Sequence, residues 1–330
     1  MITDTASGIA QIFTGVSSKE SRIFTSTMGE YKIDRYCPLS VKNESPEDFR
    51  KIADLSSNSF TVDVASSGKA MEVLYCSKYD FRNPSGFSKL VFDGAEVISV
   101  VPWERAFSVL FQRITKIDSG TEVVYITSID HSGHTMGSFS QFERYEHEKL
   151  NALFKNFLIE LARDHSELFD GDTNIIITAD HGMTESYRIN ITNRDIYDSL
   201  ANTKNRIGKV IEANRAALLY DVSGQIDEVK QQIETYFKNK HIDIKALSKG
   251  DPLFESFIPD YNSSYKNTIP DIILLLVSEG IFHSKEVQEE LMHFGGHGGN
   301  SCDEVFVPNI VIDLNEHLLA EIEDRFLKLE

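Results

Sequence analysis

Cysteine is scarce in this chain, and the few that occur are far apart. The 330 residues include three cysteines, Cys37, Cys76 and Cys302. An odd and widely spaced set does not build the disulfide framework of a small secreted domain. The fold must therefore be held by a hydrophobic core, for which a chain of this length has enough residues.

Positive charge is also in deficit. Lys and Arg number 33 against 51 Asp and Glu, so the formal net charge is −18. Nucleic-acid duplexes and anionic membranes select basic surfaces, and we expect neither as a partner. A small phosphate ester remains possible as a substrate if the site carries its own positive charge, which bound metal ions would supply.

Long apolar runs are missing as well. The longest, Ile272 to Val277, is far shorter than the about 20 residues that cross a bilayer, and no signal peptide opens the chain. We therefore expect no membrane span and, by default, a cytoplasmic location. Hydrophobic residues make up 41% and charged residues 25%, which is typical of a globular protein. The oligomeric state cannot be deduced from these features.

The most informative stretch is NIIITADHGMTE, residues 174 to 185. Its β-branched run, Asn174 to Thr178, predicts a buried strand of a parallel sheet. Asp180 and His181 follow where open α/β sheets place their sites, and Gly182 permits a turn that lets both side chains meet one ion. A strand-ending turn with a solvated Asp–His pair is the alternative.

A second predicted strand, Glu122 to Ile129, ends in SIDHSGHTMG, residues 128 to 137. We interpret this segment as a tight loop that folds Asp130 and His134 onto one metal, with His131 as an alternative ligand. A polar loop between a strand and a helix is the other interpretation. Two strand ends that both carry Asp and His are hard to assign to chance.

A third segment, MHFGGHGGNSCDEVFVPNIVID, covers residues 292 to 313. His297 lies between two pairs of glycines, which let the backbone approach a ligand closely. The predicted strand Val305 to Ile312 follows, so this segment would again lie at a sheet edge. A flexible surface loop is the alternative interpretation. His293 is a weaker candidate, because it is better explained as the end of the preceding helix.

The candidate nucleophile lies in TDTASGIAQIFTG, residues 3 to 15. Small and apolar residues recur at helical spacing after Thr5, which predicts a helix beginning near that residue. A hydroxyl at a helix N-terminus is usually a cap. The free N–H groups and the positive dipole end also suit a nucleophile that attacks phosphate.

The rest of the chain alternates between strand and helix patterns and predicts an α/β fold, with a mostly parallel central sheet flanked by helices. Further strands are predicted at 60–64, 73–76, 97–101, 216–221 and 272–277, helices at 47–55, 102–114, 139–164 and 225–239, and a loop at 251–270. We expect a core made of 1–186 and 291–330, and a smaller α+β cap or insertion at 187–290.

The candidate side chains suggest metal chemistry at phosphorus. Nitrogen and oxygen ligands suited to zinc or manganese are supplied by Asp130, His134, Asp180, His181 and His297. These are too many for one tetrahedral zinc, so we expect two divalent ions, with zinc preferred and manganese as the alternative. Two ions beside a hydroxyl form a known arrangement for in-line displacement at phosphorus.

A family resemblance is carried by four segments in this order: TDTASGIAQIFTG, SIDHSGHTMG, ITADHGM and FGGHGGNSCDEVFVPNIV. They resemble the alkaline phosphatase superfamily across nearly the whole chain, and most of all its type I phosphodiesterase/nucleotide pyrophosphatase branch. Glycosylphosphatidylinositol ethanolamine-phosphate transferases share the same motif order. The resemblance implies that Thr5 is the nucleophile and forms a covalent phosphothreonine that water resolves. The implied ligand sets are Asp130, His134 and His297 for one ion, and Asp180 and His181 for the other.

The implied function is a metal-dependent phosphohydrolase that cleaves a phosphodiester or pyrophosphate bond. A phosphomonoesterase or phosphotransferase of the same superfamily is the alternative. In the family, an Asp on a first strand upstream of the nucleophile also binds the second metal, whereas this chain begins at Met1. We therefore expect an N-terminal segment, and with it any signal peptide, to be missing. The contrasting hypothesis is a catalytically inactive metal-binding member.

Overall fold

The computed structural model of the protein describes residues 5–15, 27–30, 35–38, 59–76, 91–116, 119–186, 190–201, 203–258, 269–277, 279–283 and 294–327. The predicted α/β class is confirmed. The first half of the chain forms, in order, α1 (Thr5–Thr14), β1 (Thr27–Glu30), β2 (Arg35–Pro38), α2 (Phe60–Ser66), β3 (Ala70–Cys76), β4 (Glu96–Val100), α3 (Ala106–Ile114), β5 (Gly120–Ile126), α4 (Ser128–Met136), α5 (Gln141–Asp164) and β6 (Thr173–Thr178).

The second half is richer in short strands. It forms, in order, β7 (Thr184–Glu185), β8 (Asn190–Thr192), α6 (Asn193–Asp198), β9 (Arg206–Ala213), β10 (Ala216–Ser223), α7 (Ile226–Asn239), β11 (Ile244–Ser248), α8 (Pro252–Phe257), β12 (Ile272–Leu276), β13 (Ile281–His283), β14 (Gly295–Gly296), α9 (Cys302–Val305), β15 (Asn309–Leu314) and α10 (Glu316–Ile322). Within the described ranges, no helix combines the length and the apolar character that crossing a bilayer requires.

A parallel sheet with the order β4–β3–β5 organises the first half. Its middle strand is apolar at almost every position and buried along nearly its whole length, because helices cover both faces. On one face α1 packs through Ile9 and Phe13. On the other face Leu110 of α3 packs with Phe157 and Leu161 of α5. The parallel sheet is therefore covered by α1 on one face and by the α3–α5 layer on the other.

The prediction of a strand at 60–64 is wrong, because Phe60 begins helix α2. The Ser59 hydroxyl accepts a hydrogen bond from the Thr61 amide at 3.4 Å and donates one to the Val91 carbonyl at 2.7 Å. This cap starts a helix in a run whose β-branched residues favour a strand. The strand predicted at Val305–Ile312 begins later, at Asn309, because the short helix α9 precedes it.

Strand β6 is confirmed at the predicted place, but its surroundings differ from the prediction. Within the described residues it pairs with β15, and the pairing is antiparallel. Its side chains alternate between half-buried and exposed, and Ile176 is 67% exposed. A short β-branched run fits a strand buried on one face as well as one buried on both. The expectation of a buried parallel strand is therefore wrong for this pairing.

A four-stranded antiparallel sheet with the order β11–β12–β10–β9 organises the second half. The predicted strands at 216–221 and 272–277 and the predicted helix at 225–239 are confirmed as β10, β12 and α7. The predicted loop at 251–270 contains α8, which begins at Pro252, a favoured first position for proline. The predicted helix at 47–55 and His293 lie outside the described residues.

Candidate metal centre

Helix α4 brings the first two candidate ligands together. The segment predicted as a tight loop is helical, and this corrects the prediction. Asp130 and His134 are one helical turn apart, so they share a face, and His134 Nε2 lies 3.4 Å from Asp130 Oδ1. His131 projects elsewhere: it is exposed and lies outside the ligand cluster.

His297 reaches the same point from far along the chain. Its Nε2 lies 3.1 Å from His134 Nε2 and 3.8 Å from Asp130 Oδ1. The donor atoms of the three residues all lie within 4.8 Å of one another. His297 is only 5% exposed, whereas the side chains of His134 and Asp130 are 17% and 40% exposed, so two imidazoles and a carboxylate converge in a site that is open to solvent on the Asp130 side.

Glycines make this approach possible. A Cβ added at Gly295 would collide with the Gly133 carbonyl oxygen, so β14 packs directly on the α4 backbone. The Phe294 amide donates to the His134 carbonyl at 2.8 Å, which fixes the same contact. The glycine-rich segment therefore lets two backbones meet, as its sequence predicts.

The donor set fits a cation. His134 Nδ1 lies 2.9 Å from the Gly295 carbonyl and donates to it, which directs the Nε2 lone pair towards His297. Asp130 Oδ1 is buried and accepts no hydrogen bond from any residue in the described part of the chain. A bound divalent ion could accept the lone pairs of the carboxylate and of both Nε2 atoms, in place of the single hydrogen bond that the two imidazoles share at 3.1 Å.

Asp180 and His181 lie beside this cluster. The His181 ring stacks on the His297 ring with centroids 3.7 Å apart, and its Nε2 lies 3.6 Å from Asp180 Oδ2. Burial raises the pKa of the Asp180 carboxyl, the nearby Asp130 carboxylate raises it further, and His181 lowers it. The five predicted ligands therefore form one contiguous group, which carries two carboxylates.

Helix α1 begins at Thr5, as predicted, and its first turn lies against this group. Gly8, three residues further along, is buried, and a Cβ added there would collide with the Asp180 carbonyl oxygen. The Thr5 side chain lies outside the described atoms. The backbone contact alone places the N-terminal turn of α1 beside the Asp180 turn.

Sequence inspection missed two charged residues next to the site. Arg215 and Glu304 form an ion pair of 3.1 Å, and the two side chains are 2% and 0% exposed. The Gly182 amide donates to the Glu304 carbonyl at 2.8 Å. Ser301 and Glu304 have the Ser-x-x-Glu spacing of a helix capping box, which could have identified the acid. No local pattern identifies its partner 89 positions away.

Comparisons with known proteins are consistent with this geometry. A family model described as type I phosphodiesterase/nucleotide pyrophosphatase matches residues 1–300. No curated protein matches the sequence. Murine ectonucleotide pyrophosphatase/phosphodiesterase 5 is similar in structure, with a TM-score of 0.64 and 14% identity over 94% of this chain and 77% of that chain.

Two other solved structures resemble the chain. An inactive threonine-to-alanine variant of the murine protein, in complex with AMP, has a TM-score of 0.64 and 13% identity over 94% of this chain and 76% of that chain. Phosphonoacetate hydrolase from Sinorhizobium meliloti, in complex with phosphonoformate, has a TM-score of 0.62 and 15% identity over 94% of this chain and 79% of that chain. At such identities the likeness shows a shared fold.

Proposed function

The chain belongs to the type I phosphodiesterase/nucleotide pyrophosphatase family, and we propose that it cleaves a phosphodiester or pyrophosphate bond with a threonine nucleophile and two metal ions. Membership of this family makes it a hydrolase of phosphoric ester bonds. The similar murine structure pairs AMP with an inactive threonine-to-alanine variant. That pairing supports, for this chain, a phosphate-ester substrate and a role for Thr5.

The observation that carries the proposal is the convergence of Asp130, His134 and His297 within 4.8 Å. These residues would hold one ion, and Asp180 and His181 would contribute to a second. Ions held there would neutralise charge on the phosphoryl oxygens and lower the pKa of a neighbouring hydroxyl. Zinc suits this set of nitrogen and oxygen donors, and manganese is the alternative.

In the proposed reaction the Thr5 oxygen attacks phosphorus, and the bond from phosphorus to the leaving oxygen breaks. The hydroxyl proton leaves Thr5, and the departing oxygen takes up a proton. Water then attacks the phosphothreonine, which releases a phosphate monoester and restores the hydroxyl. The position of Thr5 supports this role, because the free N–H groups at the start of α1 can stabilise negative charge on phosphate.

We also propose that residues 187–290 form a cap that selects the substrate, beside a core of 1–186 and 291–330. Support comes from the sheet pairing, because β9 to β12 pair with one another through residues 206–276. The β9–β10 turn contacts the segment that carries His297, through the hydrogen bond from the Arg215 amide to the His297 carbonyl. Side chains of the cap could therefore reach a bound ester.

Substitution of Thr5 tests the mechanism. Thr5→Ala should remove turnover of an aryl phosphodiester and leave the metal content unchanged. Thr5→Ser keeps a hydroxyl and should retain part of the turnover. Thr14→Ala is the matched control at the other end of the same helix, where the hydroxyl donates to the Ala10 carbonyl. Full diesterase activity in Thr5→Ala would exclude Thr5 as the nucleophile.

Elemental analysis of the purified chain tests the metal requirement, beside hydrolysis of an aryl phosphodiester and an aryl phosphomonoester. About two ions per chain with diesterase activity is the expected result. A preference for the monoester would favour the phosphomonoesterase alternative. One ion or none, without turnover of either ester, would favour the inactive metal-binding alternative.

A further inference from the structure

The side chain of Arg215 is fully enclosed although it lies at a hairpin turn. It follows β9 and precedes β10, and it is 2% exposed. Its Nη1 donates to the Gly280 carbonyl at 3.1 Å, its Nη2 to the Leu276 carbonyl at 3.2 Å and its Nε to Glu304 at 3.1 Å. The guanidinium thus joins the end of β12 and the start of β13 to the segment that follows His297.

Glu304 is bonded with similar completeness and is 0% exposed. One carboxylate oxygen accepts from the Gly299 amide at 2.7 Å, and the other accepts from the Ser301 amide at 3.0 Å and the Ser301 hydroxyl at 2.6 Å. Gly299 itself lies so close that an added Cβ would be 2.7 Å from the carboxylate. The carboxylate therefore sets the path of the backbone just after His297.

The backbones of the same two residues form hydrogen bonds with both parts of the metal centre, the segment of His297 and the Asp180–His181 turn. The Arg215 amide donates to the His297 carbonyl at 3.1 Å, and the Glu304 carbonyl accepts from the Gly182 amide at 2.8 Å. Gly182 follows Asp180 and His181 directly, and it cannot carry a side chain because a Cβ would collide with the Asp303 carbonyl. The two residues of one buried ion pair thus bond to both ligand-bearing turns through their backbones.

We propose that Arg215 and Glu304 are positioning residues that hold the His297 loop and the Asp180–His181 turn at the separation needed for metal binding, and that they connect this centre to the β9–β10 hairpin. This inference rests on the proposed metal site. Partners of metal ligands commonly change metal affinity by about 10–100-fold when they are removed. Removal of one partner also leaves an uncompensated charge in the interior, which destabilises the structure around it.

The test measures the affinity of the 330-residue chain for Zn²⁺ and Mn²⁺ by calorimetry, and separately the unfolding midpoint of the metal-free protein. Glu304→Gln keeps the side-chain volume but removes the charge. We expect it to weaken metal affinity by about 10-fold or more. Arg215→Lys keeps the charge but loses the forked contacts to Gly280 and Leu276, so a smaller loss is expected.

Asp251→Asn is the control at a second ion pair, whose carboxylate is 35% exposed whereas that of Glu304 is fully buried. Its carboxylate accepts from the Ser248 amide at 2.7 Å and from Lys230 at 2.7 Å, away from the metal centre. We expect a lower unfolding midpoint with unchanged metal affinity. A residue with only a structural role behaves in this way, which separates stability from positioning.

If Glu304→Gln does not fold, Gly299→Ala tests the same contact. Its Cβ would press on the Glu304 carboxylate without removing a charge, and we expect the same loss of affinity. Wild-type affinity in folded Glu304→Gln, or in Gly299→Ala, would overturn the positioning role and leave the proposed function intact. A wild-type chain that binds neither ion would overturn the proposed metal site, and this inference would fall with it.

Discussion

Two groups of carboxylates lie at opposite ends of the parallel sheet, and their charge is balanced in different ways. At the N-terminal end, Glu96, Glu72 and Glu122 form one row, because they are paired in register across β4, β3 and β5. Arg113 from α3 forms a two-pronged ion pair with Glu72. Beyond the C-terminal end of β5, Asp130 faces histidines instead.

The pKa shifts describe this difference. The hydrogen bond from Arg113 lowers the pKa of Glu72, whereas burial and then the neighbouring Glu72 raise the pKa of Glu122 to about 8. One arginine and one retained proton therefore offset two of the three carboxylates without a ligand, and the third, Glu96, is 65% exposed to solvent. At the other end, burial raises the pKa of the Asp180 carboxyl, and the nearby Asp130 carboxylate raises it further. The neighbours of these two acids are imidazoles, which bind cations in the neutral form. The balance of charge, more than the presence of acids, separates this structural cluster from the candidate metal site.

Loss of a ligand should have the largest effect. His297→Ala removes the imidazole that lies 3.1 Å from His134 and stacks on His181, so both halves of the centre lose a neighbour. We expect metal affinity to fall by more than about 100-fold, beyond the range for residues that only support a ligand. Calorimetric titration with Zn²⁺ and diesterase assays would measure both consequences.

His131→Ala is the control for that prediction. His131 lies next to Asp130 in the sequence and was the alternative ligand, but it is exposed and outside the cluster. Its removal should leave metal affinity and turnover close to wild type. Equal losses in the two histidine variants would assign the site to a different set of ligands.

Sequence patterns identify most of the candidate ligands, because these residues follow elements with strong local patterns. A carboxylate and an imidazole after each of two β-prone runs indicate a shared sheet edge, and glycines on both sides of His297 indicate close backbone approach. The prediction of a tight loop between Asp130 and His134 was wrong: the segment is helical, although its glycine and serines are residues of low helix propensity. The partners of Arg215 are 61 to 89 positions away, and no local pattern encodes such distances.

Loss of Arg113 should have the next largest effect, and this effect should fall on stability alone. Arg113→Met leaves Glu72 and Glu122 as neighbouring acids without the guanidinium that pairs with Glu72. Because the Arg113 side chain is 30% exposed, we expect a loss of about 1–3 kcal/mol in the free energy of unfolding, less than for a fully buried pair. Urea denaturation of the metal-free chain measures this loss. Metal affinity should not change, and a parallel loss of affinity would mean that the two ends of the sheet are coupled.

The smallest expected effect is the pH dependence that Glu122 contributes. Its pKa is about 8 in the folded chain and near the ordinary value of 4.5 when unfolded. Between these values the folded chain keeps a proton that the unfolded chain has lost, so this contribution to stability is full below about pH 4.5 and is lost as the pH rises through 8. Glu122→Gln cannot lose a proton.

The variant should therefore be more stable than wild type at pH 8.5, by about 1 kcal/mol after allowance for partial exposure to solvent, and the two should converge near pH 5. Urea denaturation at both pH values measures the difference. If instead the two proteins differ by the same amount at both pH values, the change reflects the packing of the amide. The N-terminal row would then not keep its charge balance by holding a proton, and the contrast with the metal centre would rest on Arg113 alone.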